Sequence, residues 1–150
     1  DNKKLSMGSI SQNFENDFKK LTSSNYALST TSGTMALYLA LKSLGITKND
    51  EVLVPAFTWV ATANAPQMIG AKVILVDTDK DKPIINFDDL KKKITKNTKA
   101  IICVHLNGIS CDIKGLKQIR SKYKIPIVED CAQSLMSKYE NKLFFSFLFH

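Results

Sequence analysis

The sequence predicts an α/β fold: a mainly parallel sheet with flanking helices. Short apolar runs rich in β-branched residues alternate with longer stretches whose apolar residues recur at helical spacing, the pattern of strand–helix–strand units. The 150 residues are 44% hydrophobic and 23% charged, enough for one domain with a core and unlike a disordered or fibrous chain.

Taken in order, Phe14, Phe18 and Leu21 mark a first helix, and residues 26–29 a first strand. Leu37, Leu41 and Leu44 mark a second helix, with Gly45 where a helix C-cap glycine belongs. A strand at 52–55 precedes a helix at about 58–69 that Gly70 stops, with Pro66 arguing for a kink or an early end. After a strand at 73–76, residues 86–94 form a short helix. Asn86 caps it, Asp88 and Asp89 lie in its first turn, and Lys91, Lys92 and Lys93 in its last, matching the helix dipole. A strand at 100–105, a helix at 113–123 and a strand at 125–129 follow. The apolar end, Leu143 to Phe149, reads as a core strand whose continuation is missing.

The net charge is +7, yet 20 of the 21 basic residues are Lys and only Arg120 is Arg. Bidentate reading of guanine or phosphate is arginine work, so the surplus reads as a solvated surface rather than a nucleic-acid face. Cys103, Cys111 and Cys131 have no metal-type spacing and read as reduced, buried thiols. No GxG, GK[ST], HExxH or GxSxG occurs, and two histidines support neither an internal triad nor a multi-histidine metal site. No metal ligand set is expected.

Three features at strand ends carry chemistry. Ser32, Gly33 and Thr34 precede an apolar helix, offering hydroxyls and free N–H groups to a phosphate, or simply an N-cap. Asp130 and Gln133 follow an apolar strand, where open α/β sheets bind ligands and where acids also serve as turn residues. Trp59, the only tryptophan, follows another strand, as a ring platform or a packing residue. Together, phosphate donors, a flat aromatic and an acid suit a planar, phosphorylated, nitrogen-containing cofactor.

Ser32-Gly33-Thr34, the run through Asp50-Glu51-Val52 to Pro55, FTWVATANA, GAKVILVDTD, TKAIICVHLNG and IPIVEDCAQS appear in one order. This series resembles the DegT/DnrJ/StrS family of pyridoxal-phosphate sugar aminotransferases over about residues 8–142. The resemblance implies a fold type I large domain, with a smaller C-terminal domain outside the chain. Ser32, Gly33 and Thr34 would hold the cofactor phosphate and Trp59 would stack on its ring. Asp130 would pair with the pyridine nitrogen and Gln133 with the phenolic oxygen. His105, Asn107 and Gly108 would lie in a loop near the site. The implied reaction moves an amino group, usually from glutamate, to a keto sugar carried on a nucleotide. A cytoplasmic homodimer is the expected setting.

One departure bears on mechanism. The family's Schiff-base lysine lies five residues after a Ser, and Ser146 resembles that Ser, four residues before His150. The chain ends one residue before the lysine position, and it begins at Asp1 with Met7 as its first methionine. A truncated large domain without sustained turnover is therefore expected, with no catalytic lysine of its own. A histidine-type sugar dehydratase and a non-catalytic partner subunit are the alternatives.

Overall fold

A computed structural model gives the architecture, and residues 8–140 and 142–143 are described. The elements are α1 (Ser9–Thr22), α2 (Gly33–Ser43), β1 (Glu51–Pro55), α3 (Ala61–Ile69), β2 (Lys72–Val76), α4 (Phe87–Lys93), β3 (Thr98–Val104), a 3-10 turn at Leu106–Gly108, α5 (Ile113–Tyr123), β4 (Ile127–Asp130), and a short antiparallel pair, β5 (Lys138–Tyr139) and β6 (Lys142–Leu143). The four longer strands form one parallel sheet in the order β2-β1-β3-β4.

Strand alternation sorts the core into two layers. Leu53, Ile101, Cys103 and Ile127 face α4 and α5, packing with Leu90, Ile113, Leu116 and Ile119. Val52, Val54, Ala100, Ile102 and Val128 face α2 and α3, packing with Leu37, Leu41 and Ala65. Both faces are covered, as a parallel sheet requires, which explains why β1 and β3 read as continuous apolar runs. At the outer strand β2, Leu75 is 52% exposed, and its carbonyl accepts a hydrogen bond from Lys93 Nζ at 2.8 Å. Lys93 also pairs with Asp89 at 2.7 Å.

The caps follow the sequence. Asn86 accepts the Asp88 and Asp89 amides, and Gly45 takes the left-handed conformation, φ +76°, just past α2. Two expectations fail. Residues 26–29 form no strand, because the Ser29 amide and hydroxyl both bond to Glu15 Oε1 of α1, at 2.8 and 2.7 Å, instead of a neighbouring strand. Pro66 does not end α3, which runs on to Ile69. Its missing N–H costs the helix one bond back to Thr62, and Gly70 and Ala71 close the end by bonding back to Gln67 and Pro66. The helix also starts at Ala61 rather than 58, leaving Thr58 and Trp59 in the loop. The apolar stripe of α1 is partly uncovered, with Phe14 58% exposed. The apolar tail at 144–149 lies outside the described residues. Among those described, no helix is long and apolar enough to cross a membrane.

Candidate functional site

The parallel strands end along one carboxyl edge. The chain leaves β1 toward β2 on one side and leaves β3 toward β4 on the other, so the winding reverses between β1 and β3. Crevices at such points receive ligands in open α/β sheets. Helix α2 leads into β1 and packs against α3 and β4, so it runs back against the strands and presents its N-terminus at the same edge.

Beyond β1, Trp59 is 73% exposed at the carboxyl edge, which excludes a core-packing role within the described residues. The next turn is tied to β4 by hydroxyls. Thr58 and Thr62 share a hydrogen bond of 3.1 Å, and the buried Thr62 donates to Asp130 Oδ2 at 3.2 Å. The other oxygen, Oδ1, accepts the Ala132 amide at 3.1 Å. Asp130 is therefore held at both oxygens, on the sheet face that α2 and α3 cover.

Gln133 Oε1 accepts the Asn107 amide at 2.9 Å, which leaves its side-chain NH2 as a donor. Asn107 and Gly108 adopt successive left-handed conformations, φ 54° and 76°, turning the chain sharply after β3. Ser32 caps α2: its Oγ accepts the Met35 amide at 3.2 Å and keeps its own proton to donate. The Gly33 and Thr34 amides open the helix and have no acceptor among the described residues. A Cβ at Gly33 would meet nothing within 4 Å, so the space above that amide is open. No hydrogen bond among the described residues joins this turn to Asp130. The packing of α2 on α3 and β4 relates them. A cavity of about 370 Å³, mainly apolar and lined by Phe14, Phe18, Tyr26 and Leu28, adjoins Ser32 and Gly33 from the α1 side, away from Asp130. Ser146 lies outside the described residues.

On the opposite face, His105 Nε2 meets Glu129 Oε2 at 2.8 Å, and Nδ1 accepts the Cys111 amide at 3.1 Å. Burial opposes protonation of this ring, while the Cys111 thiol and Glu129 favour it and take its pKa to about 9. The backbone limits that pull, because a proton on Nδ1 would confront the Cys111 N–H; the bonding pattern is that of a neutral ring donating from Nε2. Sulfur, nitrogen and carboxylate atoms of Cys103, His105 and Glu129 lie within 4.8 Å of one another, but both ring nitrogens are engaged within the protein. Two of the three thiols, Cys103 and Cys131, are held neutral, whereas a hydrogen bond with Cys103, and then His105, pull Cys111 below its ordinary value against the effect of burial. A hydrogen bond with Cys111 and burial raise Cys103 well above its ordinary value, and burial followed by the charge of Glu129 takes Cys131 up to about 12.

Sequence reasoning missed Thr58, Thr62 and Glu129. The threonines stand four apart, a spacing that places both on one face of a helical turn. Glu129 was visible only as a polar residue at an inward position of an apolar strand.

The DegT/DnrJ/EryC1/StrS aminotransferase family model matches residues 1–147. Over 137 residues the chain is 42% identical to the GDP-perosamine synthase of Escherichia coli O157:H7 and 35% identical to that of Vibrio cholerae. The alignments cover 91% of this chain in both cases, and 38% and 37% of those proteins. The chain thus spans well under half the length of the curated relatives it matches. Among solved structures, the Bacillus subtilis protein NtdA with bound PMP superposes with a TM-score of 0.85 at 32% identity, over 90% of this chain and 31% of that one. A GDP-4-keto-6-deoxymannose-3-dehydratase holding a PLP-glutamate geminal diamine gives 0.84 at 32% identity, over 91% and 37%. The expected α/β large-domain architecture of fold type I is the one present, and the chain belongs to the DegT/DnrJ/EryC1/StrS aminotransferase family.

Proposed function

We propose that residues 1–150 form part of the cofactor-binding large domain of a pyridoxal-phosphate aminotransferase acting on a nucleotide-linked keto sugar. The observation that carries this reading is Asp130, fixed by Thr62 and Ala132 at the carboxyl edge of the sheet that also presents the unsatisfied amides of Gly33 and Thr34. A helix N-terminus with two free donors suits a phosphate dianion, and an oriented carboxylate suits a protonated pyridine nitrogen, so the residues fit the group.

In this reading Ser32, Gly33 and Thr34 bind the phosphate through a hydroxyl proton and main-chain N–H groups. Trp59 covers one ring face and excludes water from it. Asp130 keeps a proton on the pyridine nitrogen, the Thr62 bond fixing which way the carboxylate points. The NH2 of Gln133 donates to the phenolic oxygen, its own oxygen being occupied by Asn107. Ser146 completes the set by family resemblance. When bound, the cofactor supplies an electron sink through which an amino group passes between donor and acceptor.

The likeness to the GDP-perosamine synthases favours a GDP-linked sugar as acceptor, and the PLP-glutamate adduct held by the similar dehydratase favours glutamate as donor. The free thiols of Cys103, Cys111 and Cys131 fit a reducing cytoplasm, and the uncovered apolar face of α1 fits a homodimer. Incubating the intact protein with pyridoxal phosphate, glutamate and a GDP-linked keto sugar tests the activity. Oxoglutarate and an amino sugar are expected; a dehydrated sugar without amine would instead favour the dehydratase. Titration with pyridoxamine phosphate, read through Trp59 emission, tests the cofactor alone, and an unchanged emission would overturn its assignment.

A further inference from the structure

Behind the carboxyl edge, on the face away from Asp130, the ends of β3 and β4 are joined by a pair with no part in the roles above. His105 directly follows β3, and Glu129 is the penultimate residue of β4. The imidazole is fully buried and the Glu129 side chain is 3% exposed. One ring therefore joins three backbone segments: the end of β3 that carries it, β4 through Glu129, and the approach to α5 through the Cys111 amide. The same stretch reaches the front of the sheet. The His105 amide donates to the Asp130 carbonyl at 3.1 Å, and two residues on, the Asn107 amide meets Gln133 Oε1. Glu129 Oε1 is buried without a partner among the described residues, so this carboxylate is less well satisfied than stability alone would favour.

We infer that His105 and Glu129 are positioning residues for the cofactor-facing groups: from the rear of the sheet they hold the ends of β3 and β4 together, fixing where Asp130 and Gln133 stand at the crevice. This inference rests on the pyridoxal-phosphate reading above. Neither residue touches the crevice, and both act through the backbone of their neighbours. A ring that only filled space could be exchanged for another of similar size, whereas a positioning ring could not.

His105→Phe in the intact protein keeps the ring and removes both hydrogen bonds. Glu129→Gln keeps an acceptor for Nε2–H. Glu51→Gln alters a buried carboxylate at the opposite end of the sheet and serves as the control for general destabilisation. Each variant is titrated with pyridoxamine phosphate through Trp59 emission, its thermal midpoint is measured, and amide exchange is followed at His105 and Asn107. His105→Phe is expected to bind at least about tenfold more weakly, as supporting residues behind a site typically do, and to exchange faster at Asn107. Glu129→Gln should stay within about threefold of the unaltered protein, the hydrogen bond being kept. The inference is overturned if His105→Phe binds as tightly as the unaltered protein, or if Glu51→Gln loses equal affinity at equal loss of thermal stability. Should His105→Phe not fold, Glu129→Leu is judged by the same criteria. If the unaltered protein does not bind pyridoxamine phosphate, the cofactor reading itself fails. Exchange at Asn107 then decides whether the pair holds the strand ends, unchanged protection refuting it.

Discussion

At the amino edge of the sheet, Glu51 is buried and satisfied: Oε2 accepts the Thr95 hydroxyl at 2.6 Å, and Oε1 takes Lys72 Nζ at 3.2 Å. Thr98 beside it is buried too, its hydroxyl accepting the Thr95 amide at 2.9 Å. At the carboxyl edge of the same strands, among the described residues, Trp59 is exposed, the Gly33 and Thr34 amides have no acceptor, and one Glu129 oxygen has no partner. One edge closes its polar groups on each other, while the other leaves donors and a ring face open around a fixed acid. On the proposed reading, the difference separates what holds the sheet together from what the sheet holds out to the cofactor.

The sharpest way to break this contrast is Asp130→Asn. If Asp130 pairs with a pyridinium as proposed, its replacement should weaken pyridoxamine phosphate binding about a hundredfold, the worth of a charge-assisted hydrogen bond of about 3 kcal/mol, with the thermal midpoint little changed. Titration and a melting curve on one sample check both halves.

The mirror experiment is Glu51→Gln, which should lower unfolding free energy by about 2 kcal/mol in denaturant titration and leave cofactor affinity alone. It also has a pH signature. The Thr95 hydroxyl, and then Lys72, hold the Glu51 carboxyl below its ordinary value of 4.5. A pKa lower in the folded than in the unfolded chain contributes stability above the unfolded value, and that stability is lost as pH falls through the folded one. Stability should therefore drop on acidification below 4.5, and the variant should flatten that slope.

Thr62→Val removes the hydroxyl that aims Asp130 while keeping the shape of the side chain. A loss of about tenfold in pyridoxamine phosphate affinity is expected, between that of Asp130→Asn and none. The smallest effect, about 1 kcal/mol of stability, is expected for Ser32→Ala, which removes the cap of α2. A Ser32→Asp comparison separates cap from phosphate ligand: it should restore the stability and repel the phosphate.

Helix α5 was legible to its ends, and α4 to its Asn86 cap, because periodicity and caps are local signals. The strands emerged within two residues of their expected bounds. The 26–29 segment misled because its apolar pattern says nothing of who bonds its amides, and Glu15, fourteen residues before Ser29, supplied the partner. The positions of Asp130, Gln133, Trp59 and the Ser32–Thr34 turn along one edge followed from strand ends alone. The links to Thr62, sixty-eight residues from Asp130, and between His105 and Glu129, twenty-four apart, depend on sheet register and crossover. No local pattern encodes those.

The Lys93 ammonium bonded to the Leu75 carbonyl has a consequence for solubility. A parallel sheet's outermost strand is a template on which a stray chain can add, and Leu75 makes this one sticky as well as open. Lys93 occupies a hydrogen-bonding position there and places a charge where an incoming strand would have to lie. The lysine surplus thus includes at least one side chain that occupies a hydrogen-bonding position on this strand, and acetylating it would remove both that bond and its charge.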